Sequence, residues 1–145
     1  MPKEIIRALV YRAYEAYSLG HREFVVDMLD DEIEWSFYGP VELLPIPNRL
    51  HGKAAVLAAY KMIDDTTELL GHDLSLVLVD GEKAAVIGER RFRHRSSGRI
   101  VQYKFSAFHF YRNGRLVEYQ MFADTIDMAQ QLLGRTIDIP AIYSR

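Results

Sequence analysis

Residues 74–124, LSLVLVDGEKAAVIGERRFRHRSSGRIVQYKFSAFHFYRNGRLVEYQMFAD, decide the fold, because they form one continuous run of strand-like sequence. Three dipeptides interrupt the run: Asp80-Gly81, Ser97-Gly98 and Asn113-Gly114. A turn-forming dipeptide of this kind between β-branched and aromatic residues is a strong signal for an antiparallel hairpin. If each dipeptide is a two-residue loop, the pairing of all neighbouring strands follows.

This register divides the side chains between two sheet faces, because successive strand residues point to opposite sides. Around the third turn it pairs Phe108 with Tyr119, Ser106 with Met121 and His109 with Glu118; around the second it pairs Ile87 with Phe108, Glu89 with Ser106 and Arg91 with Lys104. The predicted cavity face is apolar in the middle and charged at one end, and carries Ile87, Glu89, Arg91, Lys104, Ser106, Phe108, Tyr119 and Met121. The predicted outer face carries Tyr103, Phe105, His109, Glu118, Gln120 and Phe122.

The residues outside the hairpins read mainly as helices. Apolar residues at helical spacing predict helices over 3–19, 22–29, 53–64 and 126–133, and alternation predicts a strand over 33–38. Residues 39–52 contain three prolines among apolar residues and predict a loop that packs over another part of the molecule. Helices followed by an antiparallel meander indicate an α+β fold, with the helices covering one sheet face.

Composition narrows the class of protein. With 145 residues the chain is expected to form one domain, and a net charge of −2 with 49% hydrophobic residues favours neither nucleic acid nor a membrane as partner. The chain has no cysteine, its histidines show no metal-ligand spacing, and it contains no glycine-rich phosphate loop, so neither metal nor cofactor is expected. The first residues lack the apolar core of a signal peptide, which predicts a cytoplasmic location.

Four segments carry a family resemblance: YEAYSLG at 14–20, LDDEIEW at 29–35, the loop ending in His51-Gly52, and NGRLVEYQMFAD at 113–124. Together with the order of elements, they resemble the NTF2-like superfamily and, within it, the SnoaL-like proteins. The resemblance covers nearly the whole chain. It implies a single domain over residues 1–145, with a curved antiparallel or mixed sheet wrapped around three to four helices as a cone-shaped barrel with an internal pocket. Members of the superfamily include polyketide cyclases, ketosteroid isomerases, limonene epoxide hydrolases and proteins without a reaction.

Two mechanisms of the superfamily can be compared with this sequence. A ketosteroid isomerase needs a carboxylate base, a tyrosine and a protonated aspartate, and the corresponding places hold Trp35, Ala13 and Phe108. Tyr14 would fit the tyrosine place only with a one-residue slip. An epoxide hydrolase of this fold needs an arginine between two aspartates; Arg91 matches the arginine, but Arg93 and Met121 stand at the carboxylate places. Neither mechanism fits.

Three residues are the catalytic candidates. Glu89 is predicted as a general base and Arg91 as the group that polarises a carbonyl or holds an anion, although the two could instead form a salt bridge at the sheet edge. Asp124 aligns with the SnoaL-like aspartate and is a second candidate base, or else the cap of the last helix. The predicted substrate-binding residues are Tyr14, Tyr17, Trp35, Tyr60, Ser106, Phe108, Tyr119 and Met121, several of which could equally be core aromatics.

His109 and Glu118, if paired, would resemble a catalytic dyad, but a homodimer interface on the outer sheet face explains that face better. The sequence therefore predicts a small soluble homodimer that binds an apolar or aromatic carbonyl-type molecule beneath the 40–51 loop. It would use cofactor-free acid-base chemistry of the isomerase, cyclase, lyase or hydrolase type. The alternative is a ligand-binding or protein-interaction module of the same fold without a reaction.

Overall fold

The computed structural model describes residues 2–39, 43 and 46–138. Over these residues the chain forms four helices and six strands. In chain order they are α1 (Lys3–Ser18), α2 (Arg22–Asp27), β1 (Leu29–Tyr38), β2 (Arg49–His51), α3 (Lys53–Thr66), β3 (Thr67–Asp80), β4 (Lys83–His94), β5 (Ile100–Arg112), β6 (Arg115–Ala123) and α4 (Thr125–Leu133).

The six strands form one curved, unclosed sheet in the order β2-β1-β6-β5-β4-β3. Strands β1 and β6 are parallel, and the other neighbours are antiparallel. Helix α1 contacts β3 and β4, helix α3 contacts β1, β2 and β3, and helix α4 contacts β5. The predicted α+β class, with a mixed sheet around helices, is confirmed. The sheet leaves β2 and β3 as open edges instead of closing into a complete barrel.

The third hairpin begins as predicted and then changes register. Asn113 and Gly114 both have positive φ, 53° and 78°, as a type I′ turn requires, and Arg112 pairs with Arg115. Between Phe110 and Tyr111 the register shifts, so that Phe110 faces Glu118. A β-bulge adds one residue to β6 and turns the remaining side chains to the other face. The predicted pairs beyond the bulge are therefore wrong.

The other two turns also differ from the prediction. Asp80 pairs with Lys83, so the first loop is Gly81-Glu82 rather than Asp80-Gly81. In the second hairpin, a hydrogen bond from His94 N to Arg99 O (2.8 Å) closes a loop that is longer than two residues. The pairs observed there are Ile87 with Ser106, Glu89 with Lys104 and Arg91 with Gln102, each offset by two residues from the prediction.

The two faces of β4 and β5 are the reverse of the predicted ones. The side chains that point towards the helices and are buried include Val86, Phe92, Val101, Tyr103, Phe105, Ala107 and His109. On the other face, Ile87 is 45% exposed and Phe108 is 40% exposed. The cause is visible in β5, where polar Gln102, Lys104 and Ser106 alternate with the apolar set. Burying the apolar set and exposing the polar set removes more apolar surface from water than the reverse arrangement would.

The helices use the apolar stripes that the sequence predicts. Helix α1 buries Ile6, Val10 and Tyr14, which recur every four residues on one face, and Gly20 follows it with φ +82°. Helix α4 is preceded by Asp124, whose Oδ1 accepts a hydrogen bond from Asp127 N at 3.1 Å. This places Asp124 as the N-cap of α4, the alternative to its role as a base.

The predicted loop over residues 40–51 is only partly described. Arg49–His51 forms β2 against β1, and Ile46 is buried. Residues 40–42 and 44–45 lie outside the described residues. The prediction that this loop closes the pocket rests largely on them.

Candidate functional site

A cavity lies between the inner face of the sheet and helices α1, α2 and α3. The space open to the centres of water-sized molecules measures about 100 Å³, several times what one water needs. Its apolar wall includes Val25, Met28, Leu29, Phe37, Ile63, Leu69, Phe92, Leu116 and Met121, and its aromatic and polar wall includes Tyr14, Tyr17, Arg22, Trp35, Tyr60, Asp64, Arg90, Tyr103, His109, Tyr111 and Tyr119. A mostly apolar cavity with a few convergent polar groups is typical of a small-molecule site.

Arg90, on β4, is the cation at the inner wall of this cavity. Its Nη1 donates to Tyr103 Oη (3.3 Å), while its Nε is shielded from water and has no hydrogen-bond partner. The guanidinium also lies over Phe105 at 4.9 Å and Tyr17 at 5.4 Å. Each cation–π contact is worth at most about 2 kcal/mol, whereas removing an unpaired ion from water costs on the order of several kcal/mol. The contacts therefore offset only part of the cost.

Tyr14 and His109 form a polar pair in the wall of the cavity. Tyr14 Oη lies 3.3 Å from His109 Nε2, and the two rings meet edge to face. Burial, followed by the neighbouring Tyr119, raises the pKa of Tyr14 well above its usual value, so Tyr14 stays a neutral hydroxyl. Burial lowers the pKa of His109 to about 4, so His109 is neutral near pH 7.

His72 lies beside this pair on β3 and pairs across the sheet with Arg90. Its Nε2 is 2.9 Å from the carbonyl oxygen of Tyr14 and 2.7 Å from Ser18 Oγ. Because a carbonyl oxygen only accepts, Nε2 carries the proton, and His72 cannot take a proton from Ser18 through that nitrogen. The contact between Ser18 and His72 is therefore structural. Burial, with Arg90 as the second cause, lowers the pKa of His72 to about 4.

An ion pair joins two helices at the wall of the cavity. Arg22 Nη2 binds Asp64 Oδ1 at 2.9 Å and its Nε binds Asp64 Oδ2 at 3.1 Å, so the contact is bidentate. Arg22 also lies over the ring of Tyr17, 3.6 Å from its centroid. Among the described residues that line the cavity, Asp64 is the one carboxylate, and Arg22 already occupies both of its oxygens.

The sequence profile described as a SnoaL-like domain matches residues 10–119. The chain belongs to the SnoaL-like family. A proposed isomerase from Rhodopseudomonas palustris is 27% identical with a TM-score of 0.80, covering 93% of this chain and 100% of its own. Two further solved structures share the fold. One is a proposed polyketide cyclase from Xanthomonas campestris, 17% identical with a TM-score of 0.75, covering 89% of this chain and 98% of its own. The other is an LEH-like epoxide hydrolase from M. tuberculosis, 14% identical with a TM-score of 0.75, covering 91% of this chain and 92% of its own. A search of curated proteins finds no match.

Six of the sequence-predicted substrate-binding residues lie at the cavity of this SnoaL-like domain: Tyr14, Tyr17, Trp35, Tyr60, Tyr119 and Met121. Trp35 stacks on Tyr119, with ring centroids 5.6 Å apart. Tyr119 and Met121 face inwards even though their predicted partners were wrong, because the β6 bulge brings them opposite the buried His109 and Ala107.

The other predicted site residues lie away from the cavity. Ser106 and Phe108 alternate with buried β5 residues and point to the outer face, and the same alternation on β4 turns Glu89 and Arg91 outwards. The prediction that these four residues line a cavity is wrong, because the β6 bulge was missed and the helix-covered face of β5 and β4 was therefore misassigned. Asp124, at the start of α4, is also absent from the described cavity wall.

The predicted pair of His109 and Glu118 does not form. His109 lies opposite Tyr119 and faces the cavity, whereas Glu118 lies opposite Phe110, on the outer face, and its Oε1 accepts from Gln120 Nε2 at 2.6 Å. The β6 bulge separates the two side chains onto opposite faces of the sheet.

Sequence reasoning missed Arg90 and placed His109 on the wrong face. One signal in the SnoaL-like sequence could have found both: in β5 the odd-numbered residues 101–107 are all apolar or aromatic, and the even-numbered residues 102–106 are all polar. That pattern marks the odd residues as the buried set. The register then brings Arg90, opposite Tyr103, to the same face.

Within the part of the chain that the structure describes, no three His, Asp or Glu side chains come together as a metal-ligand set. No helix among those residues is long and apolar enough to cross a membrane.

We expect acid to destabilise the protein through His109. The unfolded chain binds a proton near pH 6.5 but the folded chain only near pH 4, so stability falls as the pH drops through that interval, by up to about 3 kcal/mol. Urea unfolding of His109→Gln, measured from pH 7 to pH 4.5, should show a smaller loss than the wild type. The exposed His21→Gln is the matched control and should keep the wild-type slope; equal slopes in all three proteins would contradict the prediction.

Proposed function

We propose that this SnoaL-like domain binds a small, largely apolar or aromatic carbonyl compound in the cavity and stabilises negative charge that develops on the carbonyl oxygen. One observation carries the proposal: a neutral Tyr14–His109 pair lines a cavity whose wall is mostly aromatic and apolar. Similarity to a proposed isomerase from R. palustris adds support for chemistry of the isomerase or cyclase class.

The pair offers a hydrogen bond to a ligand in either tautomer of His109. When His109 Nε2 carries the proton, it donates to Tyr14 Oη, and the Tyr14 hydroxyl proton is free to bind the carbonyl oxygen. When Nε2 is bare, Tyr14 donates to His109 and its oxygen becomes an acceptor for the ligand. A donor held in a water-poor cavity stabilises an enolate-like oxygen strongly. Removal of the proton on the neighbouring carbon, with water as acceptor, then becomes easier.

The two predicted bases have no part in this proposal. Asp124 caps α4, and the Glu89 carboxylate points to the outer face beside Lys104. The electrostatic role that the sequence suggested for Arg91 falls to its neighbour Arg90, whose side chain lines the cavity. A cofactor-free acid-base reaction in this domain would therefore depend on Tyr14 and His109.

Binding can be measured through the one tryptophan of the chain, Trp35, which lines the cavity. We expect acetophenone to change Trp35 fluorescence saturably and to raise the melting temperature. Ala13→Leu adds bulk at the cavity wall and should weaken binding at least about tenfold, since a cavity of this size has little room to spare. Ala8→Leu, on the exposed side of α1, should bind like the wild type. Equal affinity of both variants would place the ligand elsewhere.

Catalysis is tested by deuterium exchange into the methyl group of acetophenone in heavy water, followed by NMR. We expect the protein to accelerate exchange and Tyr14→Phe to lose about a hundredfold of the acceleration, as removal of an oxyanion donor does. Tyr11→Phe, an exposed tyrosine of the same helix, is the matched control. Binding without any accelerated exchange would favour the alternative function, a ligand-binding module that catalyses no reaction.

We also propose a homodimer formed through the outer sheet face. The large apolar side chains exposed there form an outer apolar patch, defined as Tyr38, Leu76, Leu78, Ile87, Phe108 and Phe122. Tyr38 stacks on Phe122 at 4.5 Å, and Phe108 meets Phe122 edge to face at 5.8 Å. Contiguous exposed apolar area of this kind favours a partner. Neighbouring Glu89 and Lys104, of opposite charge, suit a two-fold contact between two copies.

The dimer is tested by mass measurement in solution. We expect Phe108→Asp to give a monomer, because a charge would be buried in the patch, and the exposed Phe24→Asp on α2 to remain a dimer. A wild type that is already monomeric would contradict the homodimer. The patch would then be available to a different protein, as in the alternative function of a protein-interaction module. A dimeric Phe108→Asp variant would remove the patch from the interface.

A further inference from the structure

Arg90 is the group in the cavity that the carbonyl contact leaves unexplained. Its one hydrogen bond to a described side chain goes to Tyr103, and its other close neighbours are the rings of Phe105 and Tyr17. All of these groups are uncharged. Burial lowers the pKa of Arg90, but the phenol groups around it, Tyr103 first, outweigh burial and raise it, so the guanidinium keeps its charge.

The carboxylates around Arg90 are directed elsewhere. Asp64, in the cavity wall, is bound through both oxygens to Arg22. Glu89 precedes Arg90 on β4, and Glu89 pairs with Asp73 on β3. By strand alternation both of these carboxylates lie on the outer face. Over residues 2–39, 43 and 46–138, no carboxylate comes within salt-bridge distance of Arg90.

We propose that the molecule bound in the cavity carries a carboxylate, and that this carboxylate pairs with Arg90. The inference rests on the proposed small-molecule function and narrows its substrate class to a carbonyl compound that is also a monocarboxylic acid. Tyr103 takes the Nη1 end of the guanidinium. A carboxylate that reaches the remaining guanidinium donors from the cavity gains charge-assisted hydrogen bonds, which are stronger than those between neutral groups.

The other residues of the cavity wall indicate the charge and the polarity of the rest of the ligand. Among the described residues of the wall there is one unpaired cation, which balances a single negative charge, so a phosphate dianion is a poor match. Leu69, Ile63 and Phe37 supply apolar wall, and Trp35 and Tyr60 supply aromatic surface. A planar aromatic or otherwise apolar acid of modest size fits this combination of surfaces and charge.

The effect of replacing Arg90 on the melting temperature distinguishes a purely structural role from a role in ligand binding. If the ring contacts of Arg90 hold the fold together, Arg90→Met should lower the melting temperature. If Arg90 is an anchor for a ligand, the free protein carries an uncompensated buried charge, and replacing it by an unbranched apolar side chain should leave the melting temperature unchanged or higher.

The binding experiment uses benzoate, phenylacetate and cinnamate, each beside its neutral amide, with wild type, Arg90→Met and Arg91→Met. Trp35 fluorescence and calorimetry report binding. We expect the wild type to prefer at least one acid over its amide about 10- to 100-fold, as loss of hydrogen bonds to a charged group implies. Arg90→Met should lose that preference and still bind the amide. Arg91→Met, the same substitution one residue along on the outer face, should keep it.

The outcomes separate this inference from the function it rests on. If wild type binds acids and amides with equal affinity, or if Arg90→Met still prefers acids, the carboxylate assignment is overturned. Binding of acetophenone in the same experiments would still support the cavity as the small-molecule site. Failure of acids, amides and acetophenone to bind wild type overturns both. A lower melting temperature of Arg90→Met together with unchanged acid binding assigns Arg90 to the core.

Discussion

Strand alternation in β5 is the constraint on which the rest of this structure depends. Its apolar side chains, among them Tyr103 and Phe105, point towards the helices, and its polar ones, Gln102 and Lys104, point away. Because β5 is paired on both sides, its choice of face is passed through the ladders to β4 and β6. That choice turns Arg90 and His109 inwards and leaves Glu89 and Arg91 outside. The chemistry open to the cavity follows from it.

The cavity that results is unusual in its balance of groups. Its described wall has many phenol groups, a neutral histidine and two guanidinium groups, and one of these, Arg22, holds the one carboxylate, Asp64. Among the described wall residues, no carboxylate is therefore free to act as the base that some mechanisms of this fold need. What the cavity offers is positive charge and hydrogen-bond donors for an oxygen, which is the complement of an acid or an enolate. The stability lost by burying Arg90 is of the kind often found at functional sites.

Much of the fold could be predicted from the sequence, and the reasons are local. The stripe of Ile6, Val10 and Tyr14 required a helix, and Asn113-Gly114 required a tight turn. Residues on helices and on β1 that were expected at the cavity, such as Tyr17, Tyr60 and Trp35, lie there because helix and strand periodicity alone place them.

The hairpin residues were harder to place, because one inserted residue reverses every side chain beyond it. Nothing in the sequence around Val117 marks a bulge, and Ser97-Gly98 does not reveal that its loop is longer than two residues. Glu89 and Arg91 were therefore assigned to the cavity by a register that was wrong by two, on a face that was reversed. The alternation within β5 did indicate which face is buried. Phe108 and Phe110 obscured this signal, because aromatic side chains on the outer face resemble core residues.

Strand β3 also bears on how the molecule avoids unwanted association. It stands at an open end of the sheet, where a long strand could recruit another chain by adding to the ladder. Two register shifts interrupt its pairing, one between Leu69 and Gly71 and one between Leu74 and Leu76. Arg7 Nη1 also binds the carbonyl oxygen of Val77 at 2.9 Å and sets a positive charge beside the strand. Irregularity and charge together make this border a poor template for aggregation.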